Sequence, residues 1–166
     1  MQTNLTVDVY GKCGRLKCPN DPACLSVLTS RYRYYLSFEN SFCRDYVTEK
    51  LFKTFKTDVH VVPVVRGGAD YARFFPRGTF VDAGWFDGPL RLAQFLKALG
   101  RDTKTYAKML WRKAHFEYHE HGMVDAWCQI CDKLHHLDRS ALPGSSWQSD
   151  LYRWFADGVC TAPPAF

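Results

Sequence analysis

Two short apolar runs, YRYYLSF (32–38) and VHVVPVV (59–65), constrain the fold more than anything else in the chain. Both are rich in β-branched and aromatic residues and neither alternates apolar with polar, the pattern of strands covered on both faces. Between them lies a segment of helix length. Asp45 is placed there as N-cap for a helix running to about Thr57, with Val47, Leu51 and Phe55 on one side. Strand, crossover helix and second buried strand make a βαβ unit, which requires a parallel sheet. TFVDA (79–83) reads as a further short strand, RGGAD (66–70) as a glycine-rich turn, and 71–75, 90–99 and 102–121 as helices, the last closed by Gly122. LTVDVYG (5–11) reads as a strand ending in glycine, 11–24 as a cysteine-bearing loop, and 123–166 as an irregular tail. The class is α/β.

With 166 residues, 46% of them hydrophobic, the chain can bury one substantial core but not two. Its net charge of +5 is scattered, with no basic run that would mark a nucleic-acid surface, so an anionic small ligand is the better match. No signal-peptide core and no stretch long enough to span a membrane is present in the sequence. Seven cysteines and the sequon Asn4-Leu5-Thr6 favour a secretory compartment. The odd cysteine count leaves one thiol free or paired outside the chain, and hints that the sequence is a piece of something longer.

Polar residues crowd the end of the first apolar run: Glu39, Asn40, Asp45, Tyr46, Glu49 and Lys50 all follow Phe38 within FENSFCRDYVTEK (38–50). Parallel sheets bind ligands beyond the carboxyl ends of their strands, and a helix starting there offers free N–H groups to an anion. Tyr46, Glu49 and Lys50 stand at i, i+3 and i, i+4 spacing, which on a helix gives one shared face. Lys50 would supply a positive charge to a diphosphate, Glu49 would accept from vicinal hydroxyls, and Tyr46 would offer a flat surface. The plainer alternative is that Glu49 and Lys50 are solvated helix residues, with Asn40 and Asp45 serving the turn and the cap. Gly67 and Gly68 could approach a ligand at the next strand end, or simply turn the chain. Neither G-x-G-x-x-G nor G-x-x-x-x-G-K-[ST] occurs.

The segments SRYRYYLSFENSFCRDYVTEKLF and VVPVVRGGADYARFFP closely resemble the signature of the α1,3-fucosyltransferases, and the similarity runs from VDVYGKCG through FVDAGWF to WCQICDKLH, which resembles the C-terminal cysteine motif of invertebrate and plant core-type members. The resemblance implies a Rossmann-like GDP-fucose-binding domain over 1–122 with the cysteine- and tryptophan-containing tail, 123–166, packed on it. On this resemblance such a domain would be the C-terminal half of a GT-B glycosyltransferase. It implies donor contacts from Asn40, Tyr46, Glu49 and Lys50, with Glu39 also matching the motif. It further implies inverting transfer of fucose to a glycoprotein glycan, an N-glycan by the core-type likeness, in the Golgi lumen as part of a type II membrane protein. No cofactor is required on this reading, GDP-fucose being the donor substrate and Mn2+ at most a stimulant. The general base of the family is a glutamate of the N-terminal acceptor domain, and a phosphate-binding arginine lies upstream of the VDVYG strand. Neither these nor the membrane anchor has a counterpart in the sequence, so the catalytic residue is unknown and the chain alone is expected to be inactive. Thr54 and Phe55 stand where the family shows Asn-Ala, which bears on helix–sheet packing.

Two metal-like patterns carry less. His115 and His119, with Glu117 and Glu120, lie near one helix end but do not form H-E-x-x-H, and Cys128-x-x-Cys131 has no second C-x-x-C, so no metal site is assigned and a disulfide explains those cysteines better. The alternatives that remain are a catalytically inactive GDP-sugar-binding or interaction module and a zinc-stabilised binding domain.

Overall fold

The computed structural model describes residues 5–11, 14–17, 22–116, 123–136 and 158–164. Three parallel strands, β1 (Tyr34–Phe38), β3 (Val62–Arg66) and β4 (Val81–Asp82), lie in the order β1-β3-β4, with Leu36 opposite Val64 and Val64 opposite Val81. Val62 to Val65 are all fully buried, as expected of a central strand covered on both faces. Successive side chains of β3 enter different cores. Val62 and Val64 pack with Val81 and with Leu92, Leu96 and Leu99 of α4 (Pro89–Arg101), backed by Tyr106 and Leu110 of α5 (Thr103–Lys113). Val65 packs on the other face with Leu51 of α2 (Glu49–Phe52), with Phe55, and with Tyr71 of α3 (Tyr71–Phe74). Both crossovers, β1 to β3 and β3 to β4, thus place their helices on one face, as crossovers of a single hand must.

The parallel sheet and its flanking helices match the expected α/β class, and several elements differ from expectation. Residues 5–9 form no strand: Leu5, Val7 and Val9 are exposed, and Tyr10 makes only an isolated bridge to Leu16. A helix, α1 (Pro22–Arg31), begins inside the expected loop. The second helix starts at Glu49 and passes into a 3₁₀ turn, Lys53–Phe55. The long helix predicted to reach His121 has its regular part in Thr103–Lys113, capped by the Asp102 carboxylate on the Thr105 N–H at 3.0 Å; residues 117–122 lie outside the described set. Thr54 and Phe55 are accommodated without disrupting the packing: Thr54 is buried with its hydroxyl on Leu51 O, and Phe55 stacks on Phe75.

Contacts divide the chain into two units, 1–118 with 160–166, and 119–159. The second contains α6 (Met123–His135), a helix where an irregular tail was expected. The first includes the returning end of the chain. There β5 (Cys160–Thr161) pairs antiparallel with β2 (Phe42–Cys43), Cys43 and Cys160 form a disulfide, and Arg66 Nη2 donates to Pro164 O at 2.9 Å.

Candidate donor site at the carboxyl edge of the sheet

β1 delivers Glu39 and Asn40 to the carboxyl edge. The Glu39 backbone N–H still continues the sheet by bonding Arg66 O at 2.9 Å, which fixes its side chain relative to β3. The carboxylate is fully buried and collects three donors: the Thr48 N–H on Oε1 at 2.8 Å, the Thr48 hydroxyl on Oε2 at 2.7 Å, and Lys50 Nζ on Oε2 at 3.4 Å. Lys50 also donates to Asn40 Oδ1 at 3.1 Å, and its side chain keeps 24% exposure. The backbone beneath is tied as well, the buried Ser37 hydroxyl donating to Lys50 O at 3.1 Å. A buried carboxylate with three donors is a satisfied one. It holds the lysine at the strand end with its side chain still partly exposed.

Glu39, Asn40 and Lys50 are therefore brought together, and two expectations about their neighbours are corrected. Asp45 is no N-cap: it sits in the left-handed region at φ 60°, a conformation that aspartate tolerates better than most residues, and the N-cap position falls to Thr48. Tyr46 consequently precedes the helix, in a turn where its N–H bonds Cys43 O at 3.2 Å, so it does not share a helical face with Glu49 and Lys50. Tyr46 is half-buried and Glu49, the first residue of α2, is exposed. At the helix start the Glu39 carboxylate already occupies the Thr48 N–H. The Lys50 side chain brings positive charge to this edge, as does Arg66 at the end of β3.

The other two strands end beside it. After Arg66 come Gly67 and Gly68, and both are required to be small. A Cβ on Gly67 would stand 2.4 Å from the Tyr71 hydroxyl, and one on Gly68 would stand 2.7 Å from backbone atoms of Phe42 and Cys43. Asp82 ends β4 and caps the following turn through Gly84 N–H at 2.8 Å; burial raises its carboxyl above the usual range, opposed by that hydrogen bond and by Arg66. Thr48, Arg66 and Asp82 were not singled out from sequence, although the strand-end rule applied to all three strands points at the last two. Two concavities among the described residues lie elsewhere, one bounded by Phe55, Val59 and Lys113 and one by Cys128 and Asp132.

The remaining candidates lie partly outside the described residues. Among the described residues no three His, Cys, Asp or Glu side chains group as an ion site. His115 packs against Trp111 with tilted rings whose centroids are 4.1 Å apart, while His119, Glu117 and Glu120 lie outside the described residues, as do Asn4, Cys13 and Cys18. Cys128 and Cys131 are exposed and unpaired on α6, so the disulfide expected there is not formed; Cys24, like Cys43 and Cys160, is disulfide-bonded.

The family described as glycosyltransferase family 10 (fucosyltransferase), C-terminal, matches residues 1–154. Alpha-(1,3)-fucosyltransferase C of Drosophila melanogaster is 38% identical over 156 residues, 93% of this chain and 35% of that protein. Glycoprotein 3-alpha-L-fucosyltransferase A of the same species is 35% identical over 166 residues, 97% of this chain and 32% of that protein. Human alpha-(1,3)-fucosyltransferase 4 is 35% identical over 140 residues, 81% of this chain and 26% of that protein. The chain thus spans about a third or less of the length of these relatives. A crystal structure of an alpha1,3-fucosyltransferase with GDP-fucose superposes on 72% of this chain and 36% of its own with a TM-score of 0.54 at 22% identity, a likeness of fold. The parallel sheet, the motif at its carboxyl edge and the extent of the match lead to one assignment: this chain belongs to glycosyltransferase family 10, the fucosyltransferases, and corresponds to the family's C-terminal region.

Proposed function

We propose that this chain is the donor-binding portion of an inverting α1,3-fucosyltransferase that carries fucose from GDP-fucose to a glycoprotein N-glycan in the Golgi lumen. The observation that carries the reading is Lys50, held at the carboxyl end of β1 by Glu39 and Asn40 with its side chain still partly exposed. Cleavage of the bond between fucose and GDP places negative charge on the diphosphate. A fixed ammonium there stabilises the transition state more than the ground state. Asn40 and Glu49, both exposed at the same edge, supply polar contacts to the sugar or ribose hydroxyls, and Tyr46 a half-buried aromatic wall. The relatives are far longer than the matched region, and the general base and the acceptor site are proposed to belong to that further length.

The test is GDP binding by calorimetry and by thermal shift. Wild type is expected to bind, with ligand at a hundred times its Kd raising stability by about 2.7 kcal/mol. Lys50→Ala is expected to weaken binding at least tenfold, with Lys50→Arg intermediate because the charge survives but the point-like geometry does not. Equal affinity in wild type and Lys50→Ala overturns the reading. Transfer of labelled fucose to a defined glycan panel by the full gene product separates an enzyme from a GDP-sugar-binding module.

A further inference from the structure

Tyr71 opens α3 and is 2% exposed, yet its hydroxyl has no hydrogen-bond partner. Buried hydroxyls are almost always paired, so an orphan of this kind asks what it serves. Its location narrows the answer. A Cβ placed on Gly67 would meet the Tyr71 hydroxyl at 2.4 Å and Glu39 Cγ at 3.1 Å, so the phenol and the Glu39 side chain crowd the same vacant position at the ends of β1 and β3. Burial, and then the carboxylates of Glu39 and Asp82, raise the phenol above its ordinary value, which keeps it a proton donor throughout the working range.

Glu39 is the group that will need such a donor. Its carboxylate offers about four acceptor sites and uses three, the longest contact being the one from Lys50 at 3.4 Å. A diphosphate that draws Lys50 away leaves Glu39 fully buried and without its counter-charge. Removing one partner of a buried pair is costly unless another donor replaces it. The adjacent phenol is unemployed in the ligand-free state.

We propose that Tyr71 is a positioning residue for donor binding: as Lys50 turns from Glu39 to the diphosphate, the Tyr71 hydroxyl becomes hydrogen-bonded to the Glu39 carboxylate in its place. The inference rests on the assignment of Lys50 to the donor diphosphate. The hydroxyl is then unsatisfied without ligand and satisfied with it, a difference that favours the bound state.

The full chain as wild type, Tyr71→Phe, Lys50→Ala and the double variant tests this by GDP calorimetry and by thermal midpoint without ligand. Tyr71→Phe removes only the orphan oxygen, so its ligand-free midpoint is expected to stay level or rise while GDP affinity falls about tenfold. In the Lys50→Ala background the phenol serves Glu39 before any ligand arrives, so Tyr71→Phe is expected there to lower the ligand-free midpoint. That reversal of sign is one a merely structural tyrosine would not give. Wild-type affinity in Tyr71→Phe, failure of that variant to fold, or a midpoint change of the same sign in both backgrounds overturns the proposal and leaves the Lys50 reading standing. Absence of GDP binding by wild type overturns both.

Discussion

Lys113 shows how one side chain can join two parts of the fold. At the end of α5 it is 4% exposed, donates to Val59 O at 2.6 Å and to Thr54 O, and lies over the Phe55 ring. It thereby satisfies carbonyls at and after the 3₁₀ turn that follows α2, where the regular hydrogen-bond ladder stops. Burial pushes its ammonium from 10.5 down to about 8. The folded value lies below the unfolded one, so between those limits the unfolded chain holds a proton that the folded chain has released, and stability rises with pH. The slope approaches about 1.4 kcal/mol per pH unit in mid-window. Tyr34 and Tyr106, pushed up to about 12 by burial, act in the opposite sense only above the ordinary phenol value of 10.0. Urea denaturation from pH 8 to 9.5 is therefore expected to show wild type gaining stability relative to Lys113→Met. Parallel pH curves would mean that the lysine titrates normally in the folded protein.

Among the elements, the turn after β3 carries a steric demand set by distant backbone. A Cβ on Gly68 would meet backbone N and O of Cys43 and the backbone C of Phe42 at 2.7 Å, atoms that cannot yield without shifting β2, whereas one on Gly84 would meet only the Asp82 carboxylate at 3.2 Å. Gly68→Ala is expected to cost about 1–3 kcal/mol in chemical denaturation and Gly84→Ala much less; equal losses would refute the close approach of the turn to β2. The glycine pair was visible in the sequence, but not its reason, which lies in backbone brought from elsewhere in the chain. The same division runs through the other elements. β1, β3 and α4 were legible because apolar residues at strand or helix spacing are themselves what gets buried, as with Val62, Val64, Leu92, Leu96 and Leu99. The start of α2 was misplaced because aspartate suits both an N-cap and a left-handed turn, and only the distant Glu39 carboxylate on Thr48 decides between them. LTVDVYG has strand alternation without a strand neighbour, and α6 was hidden by a composition of cysteine and tryptophan that suggested a tail. Within the candidate site, Asn40 and Lys50 were legible from the motif, while the capping of Thr48 by Glu39 and the orphan hydroxyl of Tyr71 arise only from tertiary packing.

On the scale of the whole chain, the sheet's carboxyl edge is closed by residues from its far end. The Cys43–Cys160 disulfide spans a sequence separation of 117, β5 pairs with β2, and Arg66 reaches Pro164 O. Seven cysteines allow too many pairings for this link to be read from sequence, which leaves it to the structure. Its position couples stability to function, because β2 lies in the chain between Asn40 and Tyr46, two of the proposed donor contacts. A bridge closing so long a loop contributes about 2–5 kcal/mol, chiefly by restricting the unfolded chain. Cys160→Ser is therefore expected to lower unfolding stability by that amount and to weaken GDP binding as the segment from Asn40 to Tyr46 loosens. Reductant is expected to destabilise wild type more than Cys160→Ser, since the variant retains only the bridge at Cys24 among those involving described residues. Cys128→Ser and Cys131→Ser, which remove unpaired exposed thiols, are expected to leave GDP affinity unchanged. If Cys160→Ser loses stability yet binds GDP like wild type, the end of the chain stabilises the fold without shaping the donor edge, and the coupling argued from β2 is wrong.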